Sequence, residues 1–164
     1  MDEKSESHFK DTGKLVVNMQ SFETIIRGFL YNDEVAKGTA SSAQIDFSKV
    51  KQGDIVLKNA FTNYDAMRDL IRKYNSDSRI MSAALTVDEA LADIRDAIAH
   101  GRLFSSDLSD TMQLLKFKRP NKDKVGVAFS ESMTKDWFRT QVSRFYDATL
   151  KVIEANERLE SGRL

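Results

Sequence analysis

Residues 86–103 read TVDEALADIRDAIAHGRL and carry the best-defined helical pattern in the chain. Apolar residues recur in this stretch at intervals of four and three, which places them on one stripe of an amphipathic helix. The stripe consists of Val87, Leu91, Ile94 and Ile98. Thr86 and Glu89 have the spacing of a capping box, so a Thr86→Ala change is expected to cost about 1 kcal/mol. Gly101 is a natural stop, and we predict that the helix ends there.

Three other segments have helical patterns, at about residues 12–30, 64–74 and 134–159. Their predicted buried residues are Leu15, Met19, Phe22, Ile26 and Phe29 in the first, Met67, Leu70, Ile71 and Tyr74 in the second, and Phe138, Val142, Phe145 and Val152 in the last. Asn63 is the expected N-cap of the second segment. Residues 1–11 are polar, and we expect them to be disordered.

Residues 112–130, before the last helix, have the pattern of a β-hairpin. Leu115 and Phe117 alternate with lysines, and Val125, Val127 and Phe129 alternate with smaller residues. Residues 120–123 supply a turn between the two runs. The predicted fold is mainly α, a bundle of four or more helices with a small β-hairpin inserted before the last one. At 164 residues the chain has the length of one domain, over residues 1–164.

The composition excludes several classes of site. The chain has no cysteine, which excludes disulfides, thiolate metal sites and cysteine nucleophiles. Its two histidines lie far apart in sequence, so we expect no metal centre and no cofactor. With 25 basic and 25 acidic residues the formal net charge is zero, and nucleic acid would have to bind through a local patch. No apolar run approaches ~20 residues and the N-terminus is polar, so we expect a cytoplasmic protein without a membrane segment.

Arg95, Asp96 and His100 are the candidate catalytic residues. Asp96 and His100 lie four residues apart and are neighbours on one helix face, so the carboxylate can orient the imidazole. Imidazole exchanges protons near cellular pH, and the guanidinium of Arg95 has the shape and charge to hold a phosphate. Together these groups could cleave RNA without a metal and leave a 2′,3′-cyclic phosphate end.

The same helix geometry raises an objection to a site within one chain. Arg95 and His100 lie five residues apart, which separates them by about 140° around an ideal helix. Either the helix unwinds at His100 and Gly101, or two copies of the helix pool their side chains, as they would in a two-fold dimer.

Residues 95–104, RDAIAHGRLF, resemble the signature of HEPN (higher eukaryotes and prokaryotes nucleotide-binding) domains. That signature is an arginine, a polar residue and a histidine after four to six intervening residues. The resemblance implies an HEPN-like helical bundle and a metal-independent endoribonuclease with its cleft at a homodimer interface. Arg95 and His100 would be catalytic and Asp96 would assist. Members of the family act as toxins, in phage defence and in RNA processing, which implies RNA and an antitoxin or regulatory protein as partners.

Less specific interpretations remain open for each group of residues. His100, Arg95 and Asp96 could be a solvated helix end, and the family includes catalytically silent modules that bind nucleotides or proteins. The candidate RNA-binding residues are Arg102, Lys116, Lys118, Arg119, Lys122 and Lys124. The five on the hairpin could instead only solvate its edge. Phe22, Phe145 and Trp137 are expected in the core rather than as platforms on which bases stack.

Overall fold

The structure is a computed structural model that describes residues 3–40, 49–105 and 111–164. In these ranges it is mainly helical, with five helices and a small antiparallel sheet that precedes the last helix. The elements are α1 (Glu3–Ala36), α2 (Met67–Asn75), α3 (Ser78–Ser82), α4 (Ala90–His100), β1 (Arg102–Phe104), β2 (Gln113–Phe117), β3 (Val127–Ser132) and α5 (Lys135–Glu160). No helix within these ranges combines the length and the apolar character needed to cross a membrane.

The chain divides into two compact units, and both long helices contribute to each. The first unit contains Met1–Phe22 and Asp88–Ala148, and the second contains Glu23–Val87 and Thr149–Leu164. That residues 1–164 form one domain stays a prediction.

In the first unit, the start of α1 packs against the start of α5. The rings of Phe22 and Phe145 meet edge-on with their centroids 5.9 Å apart, and the ring of His8 meets that of Phe138 at 5.2 Å. Helix α1 begins at Glu3, so the prediction of disorder over residues 1–11 is wrong for residues 3–11. The apolar pattern starts later in the sequence, but the contact between His8 and Phe138 shows that this first part of the helix also packs.

In the second unit, Tyr74 joins three segments. Its ring meets that of Phe29 edge-on at 5.1 Å, and its hydroxyl donates a hydrogen bond to the carbonyl oxygen of Leu85 at 3.0 Å. The side-chain amides of Asn32 and Asn156 lie 2.8 Å apart and join α1 to α5. The stripes predicted for α1 and α2 are confirmed, since every residue of both is buried.

The start of α2 differs from the prediction. The helix begins at Met67, and Asn63 does not cap it. The Oδ1 atom of Asn63 accepts the backbone N–H of Asp65 at 3.0 Å and a guanidinium N–H of Arg27 at 2.9 Å, and so holds the loop before the helix. The short helix α3 was not predicted, although Asp77 caps it by accepting the N–H of Arg79.

The three strands form one sheet in the order β1-β2-β3, with both pairs antiparallel. Strands β2 and β3 confirm the predicted hairpin, although β3 extends two residues beyond residue 130, to Ser132. Strand β1 was not predicted, because only three residues form it and its partner β2 begins only at Gln113. Opposite Leu114 lie Leu103 of β1 and Glu131 of β3, so these three side chains share one face of the sheet.

The side chain that caps α4 is that of Asp88. Its Oδ1 atom accepts the backbone N–H of Ala90 at 2.9 Å, and its Oδ2 atom accepts a hydrogen bond from the Arg144 guanidinium at 2.7 Å. The predicted capping box at Thr86 and Glu89 is therefore wrong, because the helix begins at Ala90, too late for Thr86 to reach its first N–H groups. Of the predicted stripe of α4, Leu91 and Ile94 are buried in the helix and Val87 is buried before it, whereas Ile98 is only half-buried.

Replacing Asp88 with alanine is expected to lower the free energy of unfolding by about 1 kcal/mol, because the N–H of Ala90 loses its acceptor. Thr86→Ala serves as the control and should change stability by less than about 0.5 kcal/mol, since Thr86 is exposed. Urea unfolding of both variants measures the difference. A larger cost for Thr86→Ala than for Asp88→Ala would contradict this assignment of the cap.

Candidate active site

The candidate site lies at the C-terminal end of α4, where the chain turns into β1. His100 is the last helical residue, and Gly101 leaves the helix in an extended conformation, which confirms the predicted stop. Gly101 packs closely: a Cβ atom there would lie 2.3 Å from the carbonyl oxygen of Ala97 and 2.8 Å from Cδ1 of Leu114. The absence of a side chain at Gly101 thus lets β2 lie directly against the end of α4.

Strand β2 brings Lys116 to Asp96. Leu114 and Lys116 lie two residues apart on β2 and so point to the same side, with Leu114 buried beside Gly101 and the Lys116 ammonium hydrogen-bonded to the Asp96 carboxylate. His100 lies farther from the carboxylate, since its Nε2 atom is 3.7 Å from Asp96 Oδ1. That distance is too long for a hydrogen bond. The predicted pairing, in which Asp96 orients His100, is therefore replaced by an ion pair between Asp96 and Lys116.

The charges around Asp96 set the acidity of its carboxyl group. Partial burial raises its pKa, but the Lys116 ammonium lowers it, as do His100 and Arg95. The combined effect of these three side chains is larger, so the pKa of Asp96 lies below its ordinary value. Asp96 therefore stays ionised at neutral pH and holds positive groups around itself.

Replacing Lys116 with methionine is expected to raise the pKa of Asp96, because burial then acts against fewer positive charges. A carboxyl group whose pKa is depressed by folding stabilises the fold above its unfolded-state pKa, and this contribution disappears as the pH falls through the folded-state pKa. The variant should be less stable than wild type near neutral pH by under about 1 kcal/mol, and the difference should vanish in acid. An NMR titration of the Asp96 carboxyl carbon and urea unfolding measure both effects.

Lys118→Met is the matched control for this prediction, because Lys118 lies two residues after Lys116, just beyond the end of β2, and is exposed. It should leave the pKa of Asp96 unchanged. An Asp96 pKa that is the same in Lys116→Met and in wild type would show that the ion pair does not form in solution.

Arg95 and His100 lie on the same continuous helix. The side chain of His100 is 64% exposed, and Arg95 is half-buried. Since α4 stays helical through His100, the two side chains keep the separation of about 140° expected for an ideal helix. The helix does not unwind at His100. Of the two arrangements that could bring Arg95 and His100 to one phosphate, this leaves the pairing of two copies of the helix.

The candidate RNA-binding residues do not form a single surface. Arg102 pairs with Leu115 across the strands, and its guanidinium lies over the ring of Phe117 at 5.6 Å, on the opposite side of the sheet from Lys116. Lys116 is engaged with Asp96. The other four are exposed at the end of the hairpin: Lys118, Arg119, Lys122 and Lys124.

A cleft beside this site was missed by sequence reasoning. It has a volume of about 350 Å³ and lies between α4, the sheet and the first turns of α5. We call it the Trp137 cleft, and its main lining residues are Ile94, Lys116, Phe129, Glu131, Trp137 and Arg144. Phe22 and Phe145 are buried, as predicted, whereas Trp137 is only half-buried and lines the cleft. The signal available in the sequence was that Trp137 lies next to Phe138, which takes the core position.

Within the described ranges, no three His, Asp or Glu side chains are grouped so that they could hold a metal ion. Comparisons of the chain with protein-family models, curated proteins and solved structures found no match.

Proposed function

We propose that the protein is a metal-independent endoribonuclease of the HEPN type, in which Arg95 and His100 act on one phosphate of RNA. The observation that carries the proposal is the polar cluster at the end of α4. Lys116 reaches it from a different element, Asp96 is ionised among three cationic or protonatable side chains, and His100 projects into solvent where a substrate can reach it. A local concentration of positive charge suits a phosphate even though the chain has no net charge.

The chemistry needs a base, an acid and a stabiliser of negative charge. The imidazole of His100 removes the proton from the ribose 2′-hydroxyl, and the 2′-oxygen bonds to phosphorus. The bond from phosphorus to the 5′-oxygen breaks, and that oxygen takes a proton from a water molecule, whose hydroxide the protonated His100 then neutralises. Arg95 stabilises the charge on the phosphate oxygens. The products are a 2′,3′-cyclic phosphate and a 5′-hydroxyl, and no metal or cofactor takes part.

Two copies of the chain supply these groups in the proposal. A single α4 separates Arg95 from His100 by about 140°, so one helix cannot direct both at the same phosphate. A two-fold axis near the end of α4 would place Arg95 of one copy beside His100 of the other, so that each dimer has two such pairs. A toxin or phage-defence role, with an antitoxin or regulatory protein as partner, belongs to the same proposal through the family resemblance.

The proposal is tested by incubating the purified protein with end-labelled RNA in the presence of EDTA. We expect cleavage that EDTA does not prevent, with cyclic phosphate at the new 3′ ends. RNA that stays intact under all conditions, or cleavage that EDTA abolishes, would contradict the proposal.

A second function, that of a catalytically silent module that binds nucleotides or proteins, is favoured by one observation. The carboxylate of Asp96 is paired with Lys116 and lies 3.7 Å from His100, so it does not hold the imidazole in a defined orientation. Tight binding of nucleotides without any RNA cleavage would favour this function over the first.

A further inference from the structure

The Trp137 cleft shares one residue with the candidate active site. Lys116 lines the cleft on one side and pairs with Asp96 of α4 on the other. A molecule in the cleft would therefore lie next to the ion pair of Lys116 and Asp96. This arrangement is a property of the first unit alone, since every lining residue belongs to it.

We propose that the Trp137 cleft binds one unpaired nucleobase of RNA, with guanine preferred, beside the phosphate that is cleaved. The inference rests on the proposed function and names the part of the substrate that the enzyme recognises. The cleft has a volume of about 350 Å³, which lies in the range of pockets that take small ligands. Its walls include two aromatic side chains, Trp137 and Phe129.

The aromatic walls favour a base over an aliphatic or purely ionic ligand. Aromatic side chains on which unpaired bases stack typically contribute about 1–3 kcal/mol per base. Trp137 is half-buried, which fixes its position and still leaves part of the indole accessible. Its ring packs edge-on against Phe138, at 5.2 Å, and this core residue anchors it.

Glu131 gives the cleft its selectivity. It lies on β3 opposite Leu114, on the face of the sheet that meets α4, and it lines the cleft. Within the described part of the chain its carboxylate has no ion-pair or hydrogen-bond partner. A carboxylate accepts two parallel hydrogen bonds from the adjacent N–H groups on the Watson–Crick edge of guanine. Uracil offers one N–H between two carbonyl oxygens, which repel the carboxylate.

The acidic Asp93 of α4 also lines the cleft, together with two cationic side chains that suit the phosphate of the same nucleotide. Arg144 is held in place because its guanidinium donates to Asp88 at 2.7 Å and to Gln141, which is buried, at 2.8 Å. Lys116 lies between the cleft and Asp96. The base would thus occupy the aromatic part of the cleft, and its phosphate would extend towards Lys116 and the end of α4.

The chain reports binding by itself, because Trp137 is its one tryptophan. Titration with GMP, AMP, CMP and UMP should quench the indole fluorescence, and GMP should bind at least about tenfold more tightly than UMP. Glu131→Gln should weaken GMP binding by about tenfold and remove the preference over UMP. Glu157→Gln is the control, because it removes the same negative charge from an exposed residue in the C-terminal half of α5. This variant should bind GMP as wild type does.

The outcomes of this experiment are separate from those of the cleavage assay. Saturable quenching with a preference for GMP that depends on Glu131 supports the inference, whether or not RNA is cut. No saturable quenching by any of the four nucleotides, or equal binding that Glu131→Gln leaves unchanged, overturns it. RNA cleavage without such quenching would leave the proposed function standing and remove the base site.

Discussion

His100→Ala is expected to lower the rate of RNA cleavage by about 10²–10⁴-fold, the usual contribution of a positioned general acid or base. An imidazole in general can take and give a proton near cellular pH, and His100 places one at the end of α4. Its side chain is 64% exposed, so the variant should fold and unfold as wild type does. The loss of activity should therefore appear in the turnover number and not in the thermal midpoint.

The other histidine of the chain provides the matched control. His8 lies on α1 and packs against Phe138, so His8→Ala should reduce stability while the folded variant still cleaves RNA. Cleavage is measured with end-labelled RNA in EDTA and stability by urea unfolding. A His100→Ala protein that cuts RNA as fast as wild type would remove His100 from the mechanism.

Gly101→Ala is expected to lower the free energy of unfolding by about 1–3 kcal/mol through overpacking. The backbone at Gly101, with φ −77° and ψ 179°, suits any residue, so the cost comes from crowding. The new Cβ atom would lie 2.3 Å from the Ala97 carbonyl oxygen, 2.8 Å from the Leu114 side chain and 3.0 Å from the Leu115 carbonyl oxygen. Two of these are backbone atoms, so α4 and β2 must move apart, and His100 moves with them.

Gly28→Ala is the control for this change. Gly28 lies within α1, and nothing comes within 4 Å of a Cβ atom placed there. Alanine should therefore stabilise the helix by about 0.5–1 kcal/mol. Urea unfolding of both variants gives the comparison, and a Gly101→Ala protein as stable as wild type would show that β2 does not pack on the end of α4 in solution.

Features that depend on neighbours along the chain could be predicted from the sequence. The stripe of α1 and the inner face of α2 follow from the periodicity of a helix, and every residue of both is buried. The stop at Gly101 and the hairpin turn are also local. The cap of α4 was missed because Thr86 and Asp88 both have suitable side chains, and only the observed start at Ala90 selects Asp88.

Features that depend on residues distant in sequence could not be predicted. Lys116 was expected to be free for RNA, but β2 places it against Asp96, twenty positions earlier in the chain. Arg102 was expected to bind RNA together with the lysines of the hairpin, but the pairing of β1 with β2 places it over Phe117, on the other side of the sheet from Lys116. Pairing between strands that are separated in sequence sets both positions, and no periodicity in the sequence encodes it.

The sharpest test of a phosphate held by two copies of the chain is a mixing experiment with Arg95→Ala and His100→Ala. Each variant alone should be inactive, whereas dimers refolded from an equal mixture should cleave RNA at roughly a quarter of the wild-type rate, because half of them are mixed and each mixed dimer has one intact pair of side chains out of two. A mixture that stays as inactive as its components, while wild type cleaves the same RNA, would contradict the shared site.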